Sequence, residues 1–97
     1  MRNKELDSIK QMINSIDEDV VKMGVSMIFT APWYDTYKKE SCLKHNLNGR
    51  YSTYGDICKY LEYAQKTGYK NIDLFGKLDV VQIKRAANLL LDFVINH

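Results

Sequence analysis

Apolar residues recur at three- and four-residue steps along much of this chain, the spacing that lines one face of an α-helix. Leu6, Ile9, Ile13 and Ile16 set the first such face and predict a helix from Lys4 to Ser15. Asp17 then offers a side-chain oxygen to the free N–H groups that open a second helix. Ile16 before it and Val21 four positions after it fit a hydrophobic staple. Glu18 and Asp19 suit the positive end of the helix dipole. This second helix is expected to reach Thr30, with Val21, Val25 and Ile28 inward. Gly24 inside it costs up to about 1 kcal/mol relative to alanine, so a close helix–helix approach is expected there. Pro32 disfavours helical geometry at Ala31 and can open a new helical turn.

The pattern loosens from Trp33 to Leu47, where Trp33, Tyr37, Leu43 and Leu47 mark at most an irregular helix. Asn46-Leu47-Asn48-Gly49 is a turn signal. A short strand stays open at Val25 to Thr30 or around Arg50 and Tyr51, as part of a hairpin between residues 25 and 55. Thr53 and Asp56 then form a capping arrangement. Tyr54, Ile57, Cys58, Leu61 and Ala64 make a regular stripe that Gly68 ends. A linker from Tyr69 to Lys77 follows, with room for one helical turn at Ile72 to Phe75. Asp79 caps the last helix, with Gln82 at the capping-box position and Leu78 and Ile83 as its staple. From Val80 to Ile95, 11 of 16 residues are apolar, so this helix is either central to the core or half in an oligomer interface. The expected fold is all-α: residues 1–97 form one small domain of four to five short helices packed around the C-terminal helix.

Composition narrows the classes. A chain of 97 residues with 45% apolar and 27% charged residues is an ordinary globular domain rather than a disordered one. No apolar run approaches the length of about 20 residues that spans a bilayer, and the polar start at Met1 to Asp7 does not read as a secretory signal. Two cysteines, Cys42 and Cys58, are too few for a disulfide framework, which suits a cytoplasmic protein.

Candidate chemistry is sparse. Cys42 and His45 are spaced C-x2-H, and 12 residues separate His45 from Cys58. Structural zinc takes four ligands, commonly as two close pairs. The second pair is missing, and Asp56 or His97 would have to complete it. A Cys42–His45 catalytic pair would also need a third group to orient the base. Asp17, Glu18 and Asp19 read as capping rather than as carboxyls across a cleft. The glycines are too scattered for a phosphate loop. The sequence therefore leads us to expect no enzyme, no cofactor and no metal.

Charge is uneven. Residues 1–36 carry net −2, residues 37–70 net +4 and residues 71–97 zero. The basic segment is tyrosine-rich, and lysine or arginine beside aromatics can track a phosphate backbone and stack bases. Within it, Gly49-Arg50-Tyr51-Ser52-Thr53-Tyr54-Gly55-Asp56-Ile57 resembles the loop and first helix of the helix-turn-helix in alkylguanine-DNA alkyltransferases and alkyltransferase-like proteins. That resemblance covers nine residues and implies DNA contact. The family's reactive Pro-Cys-His-Arg motif is absent, so alkyl transfer is not implied.

These observations favour a small non-enzymatic interaction protein that binds a protein partner or self-associates through the broad apolar arc of its last helix. The short, lysine-rich chain would suit a phage or mobile-element accessory protein. The candidate partner-binding residues are Trp33, Tyr34, Tyr37, Lys38, Lys39, Lys44, Arg50 and Tyr51, with Pro32-Trp33-Tyr34 as an aromatic anchor. The alternative is a nucleic-acid-binding module using residues 37–70. A membrane partner is not expected.

Overall fold

The computed structural model describes residues 4–39, 44–47, 50–69 and 80–96. The chain forms α1 (Lys4–Ile13), α2 (Glu18–Thr30), α3 (Tyr34–Lys38), β1 (Lys44–Leu47), β2 (Arg50–Thr53), α4 (Tyr54–Lys66) and α5 (Val80–Ile95). It is a small all-α domain with one two-stranded antiparallel hairpin set between α3 and α4. The four capped, periodic stretches of the sequence are its four long helices.

Each helix start and stop has a local cause. Asp17 sits in extended geometry (φ −86, ψ 115) as the cap of α2, where its side chain accepts a hydrogen bond from the Asp19 N–H at 2.9 Å. The expected staple is absent: Val21 is buried, but Ile16 is 100% exposed. α1 ends at Ile13, and the turn that follows carries Ile16 off the face set by Leu6, Ile9 and Ile13. α2 stops at Ala31, whose ψ of 140 is the extended geometry favoured before Pro32. α4 ends in a Schellman motif. Gly68 takes φ +67, its N–H donates to the Gln65 carbonyl at 3.0 Å, and the Tyr69 N–H donates to the Ala64 carbonyl at 2.7 Å.

The loosely patterned stretch after Pro32 yields one turn of helix, α3, and then the hairpin. β1 pairs with β2 in the register Lys44↔Thr53, His45↔Ser52, Asn46↔Tyr51 and Leu47↔Arg50. Of the two strand sites left open by the sequence, the one around Arg50 and Tyr51 is a strand, whereas Val25 to Thr30 is helical. Asn48 and Gly49 of the expected turn, the linker at 70–77 and the Asp79 cap with Leu78 lie outside the described residues.

α5 is the centre of the packing. It touches α1, α2, α4 and β1, and Ala86, Ala87, Leu90, Leu91 and Val94 on it are fully buried. Leu89 and Ile95 are partly buried against the same core. The apolar arc is thus largely covered inside the domain, and only Val81, at 73% exposure, projects far from it among the described residues. The geometric motive for self-association through this helix is therefore gone. At Gly24, α2 lies close against the end of α1. A Cβ there would lie 3.0 Å from Ile13 Cδ1 and 3.1 Å from Met12 Cβ, which is the close approach the sequence led us to expect. Between α1 and α5, Asn14 and Asn88 exchange amide hydrogen bonds of 3.0 and 2.8 Å, and Lys10 pairs with Asp92. No helix among the described residues is long and apolar enough to cross a membrane.

Candidate interaction surface

The residues singled out in the sequence fall into three groups. Trp33 and Tyr34 belong to the core, with 7% and 6% of their surface exposed. Pro32 ends α2, so the chain turns back and α3 lays these rings against α4 and α5. Trp33 meets Tyr37 edge-on at 6.0 Å between centroids, Tyr37 meets Phe93 of α5 edge-on at 5.3 Å, and Phe93 stacks on Tyr54 of α4 at 4.1 Å. Edge-on and offset pairs of this kind add about 0.5–1.5 kcal/mol each beyond area burial. Tyr37 stays half-exposed and, with Pro32, Trp33 and Thr36, lines a shallow cleft.

Lys38 is engaged rather than free. Its Nζ lies 2.8 Å from Glu62 Oε2 and 3.2 Å from Oε1, and the Tyr34 hydroxyl donates to the same carboxylate. Lys39, next along, is exposed. Lys44, Arg50 and Tyr51 form a third group on the hairpin. Their backbones pair in the register given above, and their side chains lie outside the described set. The aromatic anchor and the basic residues of the sequence reading therefore do not converge on one exposed patch among the described side chains.

Tyr34, Lys38, Cys58 and Glu62 form one connected cluster of reactive groups. Burial, followed by the bond to Glu62, pushes the Tyr34 phenol well up. Burial pushes the Cys58 thiol up to about 11, partly offset by its hydrogen bond with Tyr34. The bond to Glu62 raises the Lys38 ammonium, and the bonds from Lys38 and Tyr34 lower the Glu62 carboxyl. A nucleophile or base needs its pKa brought toward the working pH. Each group here is moved the other way, into the protonation state that holds α3 on α4. Cys58 is a core thiol on the α4 stripe. Cys42 and His97 lie outside the described residues, and His45 is described only as β1 backbone.

Among the described residues, the large apolar side chains that face solvent are elsewhere: Ile16 (100% exposed), Met23 (59%), Tyr63 (54%) and Val81. Met23 and Tyr63 lie on adjacent helices. Gln65 of α4 donates to Ser26 Oγ of α2 at 2.9 Å, and the Lys22 ammonium stands 5.3 Å from the Tyr69 ring centroid. On α2, Asp19, Met23 and Ser26 are exposed at helical spacing. On α4, Lys59, Tyr63 and Lys66 repeat that spacing. Helical phase could have found Tyr63, since it falls opposite the stripe of Ile57, Cys58, Leu61 and Ala64. Ile16 carried the opposite signal, because its spacing placed it on the core face of α1.

The segment 49–57 that resembles the alkyltransferase helix-turn-helix supplies β2 and the start of α4. The next described helix is α5, whose Leu90 and Leu91 are wholly inside the core rather than presented as a reading helix. Comparison with known protein families, curated proteins and solved structures finds no match to this chain.

Proposed function

We propose that this protein works by binding a protein partner and not by catalysis. The observation that carries this is where its apolar side chains are spent. Among the described residues nearly all are buried in one core, yet Ile16 in the turn before α2, Met23 on α2 and Tyr63 on α4 are held in solvent, among exposed charges of both signs. Exposed apolar groups with a polar rim mark interaction surfaces, and methionine is adaptable enough to serve one. Among the described residues, the reactive groups Tyr34, Lys38, Cys58 and Glu62 are meanwhile engaged with one another where α3 meets α4. We assign the protein to the cytoplasm, because its cysteine content gives no disulfide framework and Cys58 is a buried free thiol. An accessory role in a phage or mobile element is part of this reading.

Affinity capture from the native host, with and without nuclease, tests the reading. A nuclease-resistant protein partner that is lost when Ile16 and Met23 are both changed to serine supports it. Capture of nucleic acid alone contradicts it. One observation favours that second reading: Lys59 and Lys66 flank Tyr63 at one-turn spacing, a cation–aromatic row that could follow a single strand. Nucleic acid would then bind with steep salt dependence and be lost in Lys59→Glu/Lys66→Glu.

A further inference from the structure

We infer that Tyr69 is a strained latch at the end of α4, held shut by the Lys22 ammonium of α2 and poised to swing out of the core while the helices stay folded. Tyr69 follows Gly68, and both have left-handed backbones, with φ of +62 and +67. Glycine takes that geometry freely, whereas a bulky side chain there is a strained exception. The Tyr69 N–H holds the strain in place through its 2.7 Å bond to the Ala64 carbonyl. Only 9% of the residue is exposed, and its hydroxyl is sealed from solvent with no hydrogen-bond partner among the described residues. A buried hydroxyl without a partner keeps the full cost of leaving water.

Two costs thus meet in one side chain, and neither is needed to end a helix. Asparagine would accept the backbone geometry more readily, and phenylalanine would fill the same space with no hydroxyl to bury. Swinging out relieves both costs at once, because the backbone relaxes and water pairs the hydroxyl. Two things oppose it: the burial of the ring, and the Lys22 ammonium 5.3 Å from the ring centroid. A cation over an aromatic face is attracted to it. The shut and open states therefore lie closer in free energy than they would for an ordinary core ring, and a small bias can shift their populations. Lys22 precedes the exposed Met23 on α2. The latch is thereby held from the α2–α4 surface, and neutralising the Lys22 charge there favours the open state. None of this depends on the binding reading above.

Native-state hydrogen exchange on the full chain is the test. Relaxation of the left-handed backbone breaks the bond from the position 69 N–H to Ala64. In the wild-type chain this N–H should exchange by local opening, at a rate that low urea leaves unchanged. The Thr67 and Gly68 N–H groups, bonded to the Tyr63 and Gln65 carbonyls, should stay protected for longer. Tyr69→Phe removes the buried hydroxyl and should slow local exchange at position 69 by about fivefold or more. Lys22→Gln should speed it by about two- to fivefold. Ordinary fraying of α4 would expose Thr67, Gly68 and position 69 together and respond to neither substitution, and that result would overturn the inference. So would exchange at position 69 that depends on urea throughout, or faster exchange in Tyr69→Phe, which would mean that the hydroxyl steadies the shut state.

Discussion

Residues 33–38 and residues 16–23 invert each other. The first segment, with Trp33, Tyr34 and Tyr37, has the composition of a docking anchor, yet Trp33 and Tyr34 are internal. The second has the sequence of a helix start, stapled shut by Ile16, yet it leaves Ile16 and Met23 in solvent. Residue type is similar in apolar character in both places, so the backbone makes the difference. Pro32 ends α2 and folds α3 back over α4 and α5, giving the rings a floor. α1 ends at Ile13, and the turn before the Asp17 cap carries Ile16 away from any floor.

The contrast can be broken by mutation, beginning with the largest effect. Trp33→Ala should cost about 3–5 kcal/mol in a urea melt, the usual range for truncating a buried aromatic ring. A loss below about 1 kcal/mol would place Trp33 on the surface after all. Gly24→Ala should destabilise by about 1 kcal/mol: overpacking against Met12 and Ile13 costs about 1–3 kcal/mol, and better helix propensity returns up to about 1. A gain in stability would mean that α1 can yield there.

Glu62→Gln should have a smaller effect, best seen as a change in pH dependence. The Glu62 carboxyl is lowered by Lys38 and then by Tyr34. Its stabilising contribution is therefore present above the unfolded glutamate pKa of about 4.3 and is lost as pH falls through the lower folded value. The variant should lose stability at neutral pH and show a shallower acid decline. An identical acid profile in both chains would remove the lock between α3 and α4. Ile16→Ala should change stability least, within about 0.5 kcal/mol, and a loss of 1 kcal/mol or more would restore the staple.

The helical architecture was legible in the sequence because its signals are local. Asp17 caps where its side chain and position say it should, Gly68 ends α4 with a positive φ, and Pro32 stops α2. Gly24 was legible as a cost that only a close neighbour could repay. The surface was less so. Exposure depends on which helix covers which face, and periodicity ranks faces without saying which partner arrives. The arc of α5 looked too broad to cover, but α1, α2, α4 and β1 all reach it. Lys38 looked like a free cation because Glu62, which satisfies it, lies 24 residues away in the chain. The sequence does not choose between two strand sites because β1 and β2 are only four residues each.

The central claim is that the working surface lies on α2 and α4, with the aromatic segment after Pro32 turned inward. Trp33 is the only tryptophan in the chain, so its fluorescence reports on that segment alone. The account predicts blue-shifted emission in the native protein, weak quenching by iodide, and a red shift with strong quenching only on unfolding. Red-shifted emission from the native chain, quenched as readily as that of the unfolded one, would put Trp33 in solvent and return the candidate surface to residues 33–38.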